Sequence, residues 1–504
     1  MEGGKPSTQR HSSAAVRPIV LVVVAVSLLA VLFMATRVSP GCRPLLKAVY
    51  QQGLGPSVTA DPLLGGLLSP DFDDRPCLSR YRASLYRQPS LHNLSSHLVS
   101  RLRRYESLHQ LCGPGTPAYS RAVARLREAM DGHAPAASNS TSSSDPECSY
   151  IIWTPVEGLG NRILSTASAF LYALLTDRVL LVHHPADDLN DMFCEPDPWL
   201  YVHLQTDYKP DDRRFFCDDG QETLRGVRWL VLRSDNYFVP GLFFLRWYEE
   251  ELVRLFPRRD TVFHHLGRYL FHPSNTVWGM ATRYYSSYLA PAEERVGVQV
   301  REFKYARISA DERYNQILSC ASRESLLPAV DNATLPSSSD HHQQQEQEQE
   351  QTKRKAVLVV SLNGDYYDKL SSLYYEHGGA AGVTVSVFQP THLGMQQSEK
   401  RQHNQKALAE IVLLSFSDVV VTSAQSTFGY VSQGLAGLRP WVLMLPVDGK
   451  VPDPPCRLAS TIEPCFMKPP HYDCRTRGDS DNAGKVVPYI RQCEDVPYGV
   501  QLVE

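Results

Sequence analysis

Three short segments place glycines or polar side chains directly after runs of apolar, strand-forming residues. The first, Gly158-Leu159-Gly160-Asn161-Arg162, follows the strand-like run Ser149–Trp153. Its glycines allow the backbone to approach a ligand closely, and the N-terminus of a following helix favours negative charge. The loop lacks the third glycine of a dinucleotide fingerprint, so a tight structural turn is the alternative interpretation.

The second segment, Val296-Gly297-Val298-Gln299-Val300-Arg301, is an apolar strand that ends in an arginine. A buried cation without a partner is costly, so Arg301 requires a counter-charge. A diphosphate suits it, because a guanidinium group binds phosphate oxygens through two parallel hydrogen bonds. An internal carboxylate is the alternative partner.

The third segment, Thr422-Ser423-Ala424-Gln425-Ser426-Thr427-Phe428-Gly429-Tyr430, gathers hydroxyl and N–H groups where a strand gives way to a helix. Such a junction can cradle phosphate oxygens and a departing nucleotide. Ordinary helix capping by the same hydroxyl groups is the alternative.

These segments stand at junctions of two alternating strand and helix patterns. Around the first segment, a helix over 163–175 and a strand over 179–182 follow Ser149–Trp153. A second alternation has strands at 356–362, 383–388 and 418–422, with helices at 365–375 and 406–414. The patterns predict an α/β protein of two Rossmann-like domains whose ligand lies in the cleft between them.

The N-terminal part predicts a membrane anchor. Within the predicted anchor 19–36, the run Ile19–Ala35 is apolar except for Ser27 and would span about 25 Å as a helix, the short end of a transmembrane segment. A cleaved signal peptide is the alternative, but no A-x-A-like cleavage site follows. Basic residues flank both ends equally, so the positive-inside rule does not orient the segment.

The remaining sequence favours a type II orientation. All 11 cysteines follow the predicted anchor, as do the glycosylation sequons at Asn93, Asn139 and Asn332. Together they indicate an oxidising lumen, with residues 1–18 as a cytosolic tail. An odd number of cysteines leaves one unpaired or bridging two chains, and Cys42 is our candidate. The C-terminal cysteines 456, 465, 474 and 493 lack paired zinc-ligand spacing and are expected to form disulfides.

Composition narrows the classes of function. A formal charge of −3 gives no electrostatic reason to bind nucleic acid. The motifs Asp71-Phe72-Asp73 and Asp479-Ser480-Asp481 do not follow buried strands, so we predict no metal site. Residues 37–75, rich in Pro, Gly and Leu, predict a stem, and the polar tract 336–355 predicts a disordered insertion.

Taken in order, many longer motifs resemble the plant xyloglucan-type fucosyltransferases. The matching stretches cover most of residues 76–504. They include 159–165, 168–176, 193–196, 234–238, 270–275, 297–301, 426–434, 463–466 and 493–497.

The resemblance implies a Golgi type II membrane enzyme with the GT-B arrangement of two Rossmann-like domains. Residues 76–292 would form an N-terminal helical region and the acceptor-side domain, and 293–504 the donor-binding domain. The implied reaction is inverting and needs no metal cofactor. It transfers L-fucose from GDP-β-L-fucose to a galactose, commonly through an α-1,2 linkage, on a cell-wall polysaccharide or arabinogalactan glycan. A second copy of the chain, in a homodimer, is a further partner that we consider.

The resemblance also implies roles for individual residues. Arg301 and the segment Ser426–Phe428 would stabilise the departing diphosphate, since no metal would do so. Asp235 would orient or deprotonate the acceptor hydroxyl, with a structural hydrogen-bonding role as the alternative. Asn161 completes the catalytic set. The implied donor-binding residues are Gly158, Gly160, Arg162, Gln299, Ser426, Thr427, Phe428, Gly429 and Asp495.

Two residues depart from the family pattern. Gln425 stands where an aromatic residue is expected, and Met467 stands where histidine is usual. A catalytically decayed, lumenal glycan-binding protein on the same fold is therefore an alternative function. A lumenal glycoside hydrolase is a third hypothesis, although no carboxylate pair is identifiable.

Overall fold

A computed structural model of the chain describes residues 61–73, 75–131, 147–183, 191–194, 215–330, 353–397, 400–469 and 483–504. All of them belong to the unit 60–504. The predicted tail and anchor, Cys42, Cys474, Asn139 and Asn332 lie outside the described residues. No helix in the described part is long and apolar enough to span a membrane.

Helices and strands alternate through both halves of the described chain. The first half contains α1 (Leu78–Arg82), α2 (Ser96–Cys112), α3 (Pro117–Met130), β1 (Tyr150–Pro155), α4 (Leu159–Leu175), β2 (Val179–Val182), α5 (Asp218–Arg225), β3 (Trp229–Ser234), α6 (Val239–Leu242), α7 (Arg246–Leu255), α8 (Val262–Leu270) and α9 (Asn275–Tyr284). The second contains β4 (Glu294–Val300), α10 (Ala310–Arg323), β5 (Arg354–Ser361), α11 (Asp365–His377), β6 (Thr384–Phe388), α12 (Arg401–Leu414), β7 (Val419–Ser423), α13 (Thr427–Ala436), β8 (Trp441–Leu443), β9 (Cys456–Leu458), α14 (Ala483–Val486), β10 (Ile490–Gln492) and β11 (Val500–Leu502).

The first half carries a three-stranded parallel sheet in the order β2-β1-β3. Ile151 on β1 pairs with Leu180 on one side and Leu230 on the other. The helix α4 connects β1 to β2, which confirms the predicted βαβ unit. Its predicted start at Ile163 is wrong, because the glycine loop itself forms the first helical turn from Leu159.

The second half carries a six-stranded sheet in the order β6-β5-β4-β7-β8-β9. Its first five strands are parallel, and β9 runs antiparallel to β8. The chain starts in the middle at β4, moves outward to β6, and returns to β7 on the other side of β4. Ligands of such sheets bind beyond the carboxyl ends of the strands at this reversal, which lies between β4 and β7.

Side chains of β5 alternate between two apolar layers, as expected for a parallel strand covered on both faces. Ala356, Leu358 and Val360 pack into the core that the two halves share. Val357 and Val359 pack into a second core with α10 and α11. Helices of the two halves pack together in the shared core, with α4 and α8 against α13 and α4 also against α12.

Two segment boundaries differ from the predicted ones. Leu67 and Leu68, within the predicted stem, are buried in the shared core because 61–73 folds back onto the body. Arg354 and Lys355, within the predicted insertion, are the first residues of β5.

The described cysteines confirm the predicted disulfide chemistry. Four bridges join Cys77 to Cys194, Cys112 to Cys148, Cys320 to Cys456, and Cys465 to Cys493. Cys217 is disulfide-bonded as well.

Candidate active site

A cleft of about 640 Å³ lies where the carboxyl ends of strands from both sheets face one another. A volume of this size accommodates a nucleotide-sized ligand. Nine residues of the predicted site line it: Gly158, Gly160, Asn161, Asp235, Gln299, Arg301, Ser426, Thr427 and Phe428.

The N-termini of α4 and α13 meet at this cleft. A Cβ atom on Gly160 would lie 2.6 Å from Thr427 Oγ1 and 3.0 Å from the Phe428 nitrogen, so only glycine allows this approach. The first N–H groups of a helix have no partner within the helix, and its dipole is positive at that end. Two such ends side by side favour an anion in the cleft.

Asn161 links three loops around the cleft. Its Nδ2 donates to the Asp235 carbonyl oxygen at 3.1 Å, and its Oδ1 accepts a hydrogen bond from Thr427 Oγ1 at 3.0 Å. Both ends of the amide are therefore engaged by protein groups. The structure gives Asn161 a positioning role, and its predicted catalytic role stays a prediction.

Arg301 follows β4 at the point where the sheet order reverses. Its backbone N–H donates to Ser423 Oγ at 2.9 Å, and its Nη2 donates to Gln396 Oε1 at 2.9 Å. Among the described residues no carboxylate forms an ion pair with Arg301. Within that part of the chain, the internal-carboxylate alternative finds no support.

Gln299 and Gly429 fix the geometry between β4, β7 and α13. Thr422 Oγ1 donates to Gln299 Oε1 at 2.8 Å in the buried space beneath the cleft. A Cβ atom on Gly429 would lie 1.9 Å from Thr422 Oγ1, so α13 packs directly against this pair. Gln299 reaches the cleft wall, whereas Gly429 lies behind it.

Asp495 supports the turn before α13 from behind the cleft. Gln425 has a left-handed backbone with φ of 61°, and its N–H donates to Asp495 Oδ2 at 2.8 Å. The Tyr430 hydroxyl donates to the same oxygen at 2.6 Å. Burial raises the pKa of Asp495, while these hydrogen bonds oppose the shift. Its predicted contact with a donor stays a prediction, as does that of Arg162, which is 2% exposed and engaged within the protein.

Asp235 lies directly after β3 and faces the cleft from the first half. Lys468 Nζ lies 3.2 Å from Asp235 Oδ2, and Asn236 Nδ2 donates to Oδ1. Lys468 was not among the predicted residues. It follows Met467, and both line the cleft.

Glu410 is a further cleft residue that sequence reasoning missed. It belongs to α12 and is 8% exposed. Burial raises its pKa to about 7, although hydrogen bonds from Thr391 oppose the shift. The signal in the sequence was an acidic residue inside the apolar run Ala407-Leu408-Ala409-Glu410-Ile411.

Known proteins resemble this chain over most of its length. The family model described as Xyloglucan fucosyltransferase matches residues 50–200 and 197–475. A galactoside 2-alpha-L-fucosyltransferase of Arabidopsis thaliana is 45% identical over 502 residues, which span 90% of this chain and 86% of the relative. The protein of that name from Pisum sativum is 42% identical and covers 88% of this chain and 82% of its own length.

A solved structure gives the same result for the fold. An Arabidopsis thaliana FUT1 mutant in complex with GDP matches with a TM-score of 0.75 at 43% identity. The match covers 88% of this chain and 100% of that chain. The relatives matched are transferases, which gives no support to the glycan-binding alternative.

Proposed function

The chain belongs to the xyloglucan fucosyltransferase family and is a fucosyltransferase, and on that premise we propose the following reaction. It moves L-fucose from GDP-β-L-fucose to a galactose of a plant cell-wall polysaccharide or arabinogalactan glycan. The observation that carries this proposal is the guanidinium of Arg301, which reaches the cleft without a carboxylate partner among the described residues.

Stabilising the leaving group is the main task of the site. The bond between fucose C1 and the β-phosphate oxygen breaks, its electron pair goes to GDP, and the fucosyl group acquires oxocarbenium character. Arg301 and the first N–H groups of α4 and α13 supply fixed positive potential where the diphosphate gains charge. Helix ends and a guanidinium held by Gln396 need little reorganisation as this charge develops.

The acceptor is activated from the opposite wall. Asp235 takes the proton of the galactose hydroxyl as that oxygen attacks C1 on the face opposite the phosphate, which inverts the configuration to an α-fucoside. Lys468 and Asn236 hold the carboxylate in one orientation for this transfer.

We further propose that no metal cofactor takes part. The protein groups named above perform the charge stabilisation that a divalent cation performs elsewhere. The expected result is an unchanged transfer rate after incubation with EDTA. A rate that falls and is restored by added Mg²⁺ or Mn²⁺ would contradict this part of the proposal.

We also propose a Golgi membrane location, with a type II anchor at 19–36. Support comes from the disulfides and from Asn93, which is exposed in the loop before α2. Treating microsomes that contain the chain with protease should leave residues 61–504 intact until detergent is added. An endoglycosidase should shift the mobility of the wild type more than that of Asn93→Gln. The homodimer stays a proposal, which sedimentation of the detergent-solubilised chain would test.

A transfer assay tests the function itself. The full chain is incubated with GDP-fucose, GDP-mannose or UDP-galactose and with galactosylated xyloglucan or arabinogalactan. We expect transfer from GDP-fucose alone, to a terminal galactose. Sugar release without any donor would instead support the glycoside hydrolase hypothesis.

A further inference from the structure

Glu410 is an acidic side chain in a part of the cleft that holds both apolar side chains and the polar residue Thr391. It projects from α12 near the end of β5, where Val360 and Leu362 line the same cleft. Leu393 and Ala407, which lies one helical turn before Glu410, add to this apolar lining. A nearly buried carboxyl group is costly unless it is hydrogen-bonded or paired with a cation.

Thr391 provides the hydrogen bonds that partly compensate Glu410 for its burial. Thr391 Oγ1 donates to Glu410 Oε1 at 2.5 Å, and the Thr391 backbone also contributes a hydrogen bond. Among the described residues no lysine, arginine or histidine forms an ion pair with it. The carboxylate therefore retains capacity to accept hydrogen bonds from a ligand in the cleft.

The position of Glu410 suits the base of a nucleotide. The diphosphate is placed by Arg301 and the N-terminus of α13, and the acceptor by Asp235 on the first half of the chain. The part of the cleft beside α12 and the end of β5 is left for the base, whose flat faces suit the apolar side chains there.

Among the common bases, guanine alone presents two adjacent donors, N1–H and the N2 amino group. A carboxylate accepts both at once, in the paired geometry that it forms with guanidinium groups. Uracil presents one N–H between two carbonyl oxygens, and adenine presents one donor beside an acceptor. Uracil and adenine would each place an acceptor atom next to the carboxylate. The carboxylate would therefore select guanine by repelling the other bases as well as by attracting guanine.

We propose that Glu410 is the specificity-determining residue for guanine, with its carboxylate accepting hydrogen bonds from N1–H and the N2 amino group. The inference rests on the proposed function, because it assumes that a GDP-sugar occupies the cleft. It assigns to α12 a contact with the donor.

Binding of GDP and IDP to the full chain tests this assignment by calorimetry. IDP lacks only the N2 amino group, so the ratio of the two affinities reports that contact. We expect wild type to prefer GDP at least about 10-fold, as for a hydrogen bond to a charged group. In Glu410→Gln the carboxamide loses one acceptor, so the GDP affinity should fall by roughly 10–100-fold and the ratio should approach one.

A matched variant distinguishes recognition of guanine by Glu410 from a role of Glu410 in holding the 389–397 loop. Thr391→Val removes the hydrogen bond to Glu410 but keeps the carboxylate, so the preference for GDP over IDP should remain. Equal losses for both nucleotides in Glu410→Gln, with the wild-type ratio retained, would overturn the proposal and leave Glu410 as an anchor of the 389–397 loop. Wild type that binds neither nucleotide would overturn the proposed function itself.

Discussion

Arg301 is held from two sides, which separates its role in the fold from its role in the reaction. The backbone N–H bonds to Ser423, whereas the guanidinium bonds only to Gln396 among the described residues. In Arg301→Lys the charge remains but the two-pronged contact with phosphate is lost. We expect kcat for transfer from GDP-fucose to fall by about 10²–10³, the effect of removing one oriented donor to developing charge.

Initial rates and thermal melting check this prediction together. The melting temperature should stay near that of wild type, because the contact with Ser423 uses the backbone. Arg233→Lys is the matched control, since Arg233 is exposed on β3 and does not line the cleft. A wild-type kcat in Arg301→Lys would contradict the prediction, because it would show that a single positive charge stabilises the departing diphosphate as well as the two-pronged guanidinium contact does.

Glu463 predicts a pH dependence of stability. Tyr237 donates to its Oε2 at 2.5 Å and the Phe263 N–H donates to Oε1 at 2.7 Å, yet burial raises its pKa to about 8. Between about pH 4.5 and 8 the native state therefore holds a proton that the unfolded state has lost. The free energy of unfolding falls as pH rises through this window, by at most about 1.4 kcal/mol per pH unit from this group.

Glu463→Gln should remove that contribution. Urea unfolding at pH 5, 6, 7 and 8 measures it as the difference in slope between variant and wild type. Glu222→Gln, at an exposed position on α5, serves as the control. If Glu463→Gln and wild type change in parallel across the four pH values, the neutral state assigned to Glu463 is wrong.

Residue types near strand ends identified many of the residues that line the cleft, but not those contributed by the middle of a helix. Arg301, Ser426 and Gly160 were found because they follow apolar strands in the sequence. The resemblance implied a donor contact for Asp495, which stays a prediction; the structure shows its carboxylate accepting hydrogen bonds from Gln425 and Tyr430. Glu410 was missed because its place in the cleft depends on how α12 crosses the sheet, a long-range feature.

At the scale of elements, the close contact between α4 and α13 can be tested by a single substitution. Gly160→Ala would set a methyl group 2.8 Å from the Thr427 carbonyl carbon, which belongs to the backbone and cannot rotate away. We expect a loss of about 1–3 kcal/mol in unfolding free energy from overpacking. The affinity for GDP should fall as well, because the two helix ends move apart.

Gly364→Ala provides the control for this substitution. Gly364 precedes α11, has φ of −71°, and a Cβ atom there would meet nothing within 4 Å. Denaturant unfolding should give Gly364→Ala an unfolding free energy close to that of wild type, and calorimetry should give it a similar affinity for GDP. Equal effects of the two substitutions would mean that loss of glycine flexibility, and not the close approach, is responsible.

The strands β4 to β7 were predicted within two residues because parallel strands covered on both faces appear as continuous apolar runs. Val179–Val182 was predicted at its observed bounds. The order β6-β5-β4-β7-β8-β9 was not predicted, since pairing between strands far apart in sequence leaves no local signal. The short strands β8 and β9 were missed for lack of length.

At the scale of the whole molecule, the disulfides should contribute unequally to stability. The bridge between Cys320 and Cys456 spans 136 residues, whereas that between Cys465 and Cys493 spans 28. Closing the longer loop removes more conformational entropy from the unfolded chain, a difference of about 1.4 kcal/mol in the loop-entropy description. Cys320→Ala with Cys456→Ala should therefore destabilise the fold more than Cys465→Ala with Cys493→Ala.

Both double variants remove buried sulfur atoms of the same number, so each controls for the packing loss of the other. Urea unfolding of the two, at equal protein concentration, gives the difference in unfolding free energy. The 320–456 loop encloses β5 to β8 with α12 and α13, so its variant should also lose GDP affinity at urea concentrations that leave the other variant bound. A larger loss from the shorter loop would mean that the close packing of Cys465 Sγ against Gly499, where an added Cβ would lie only 2.5 Å from the sulfur, outweighs chain entropy.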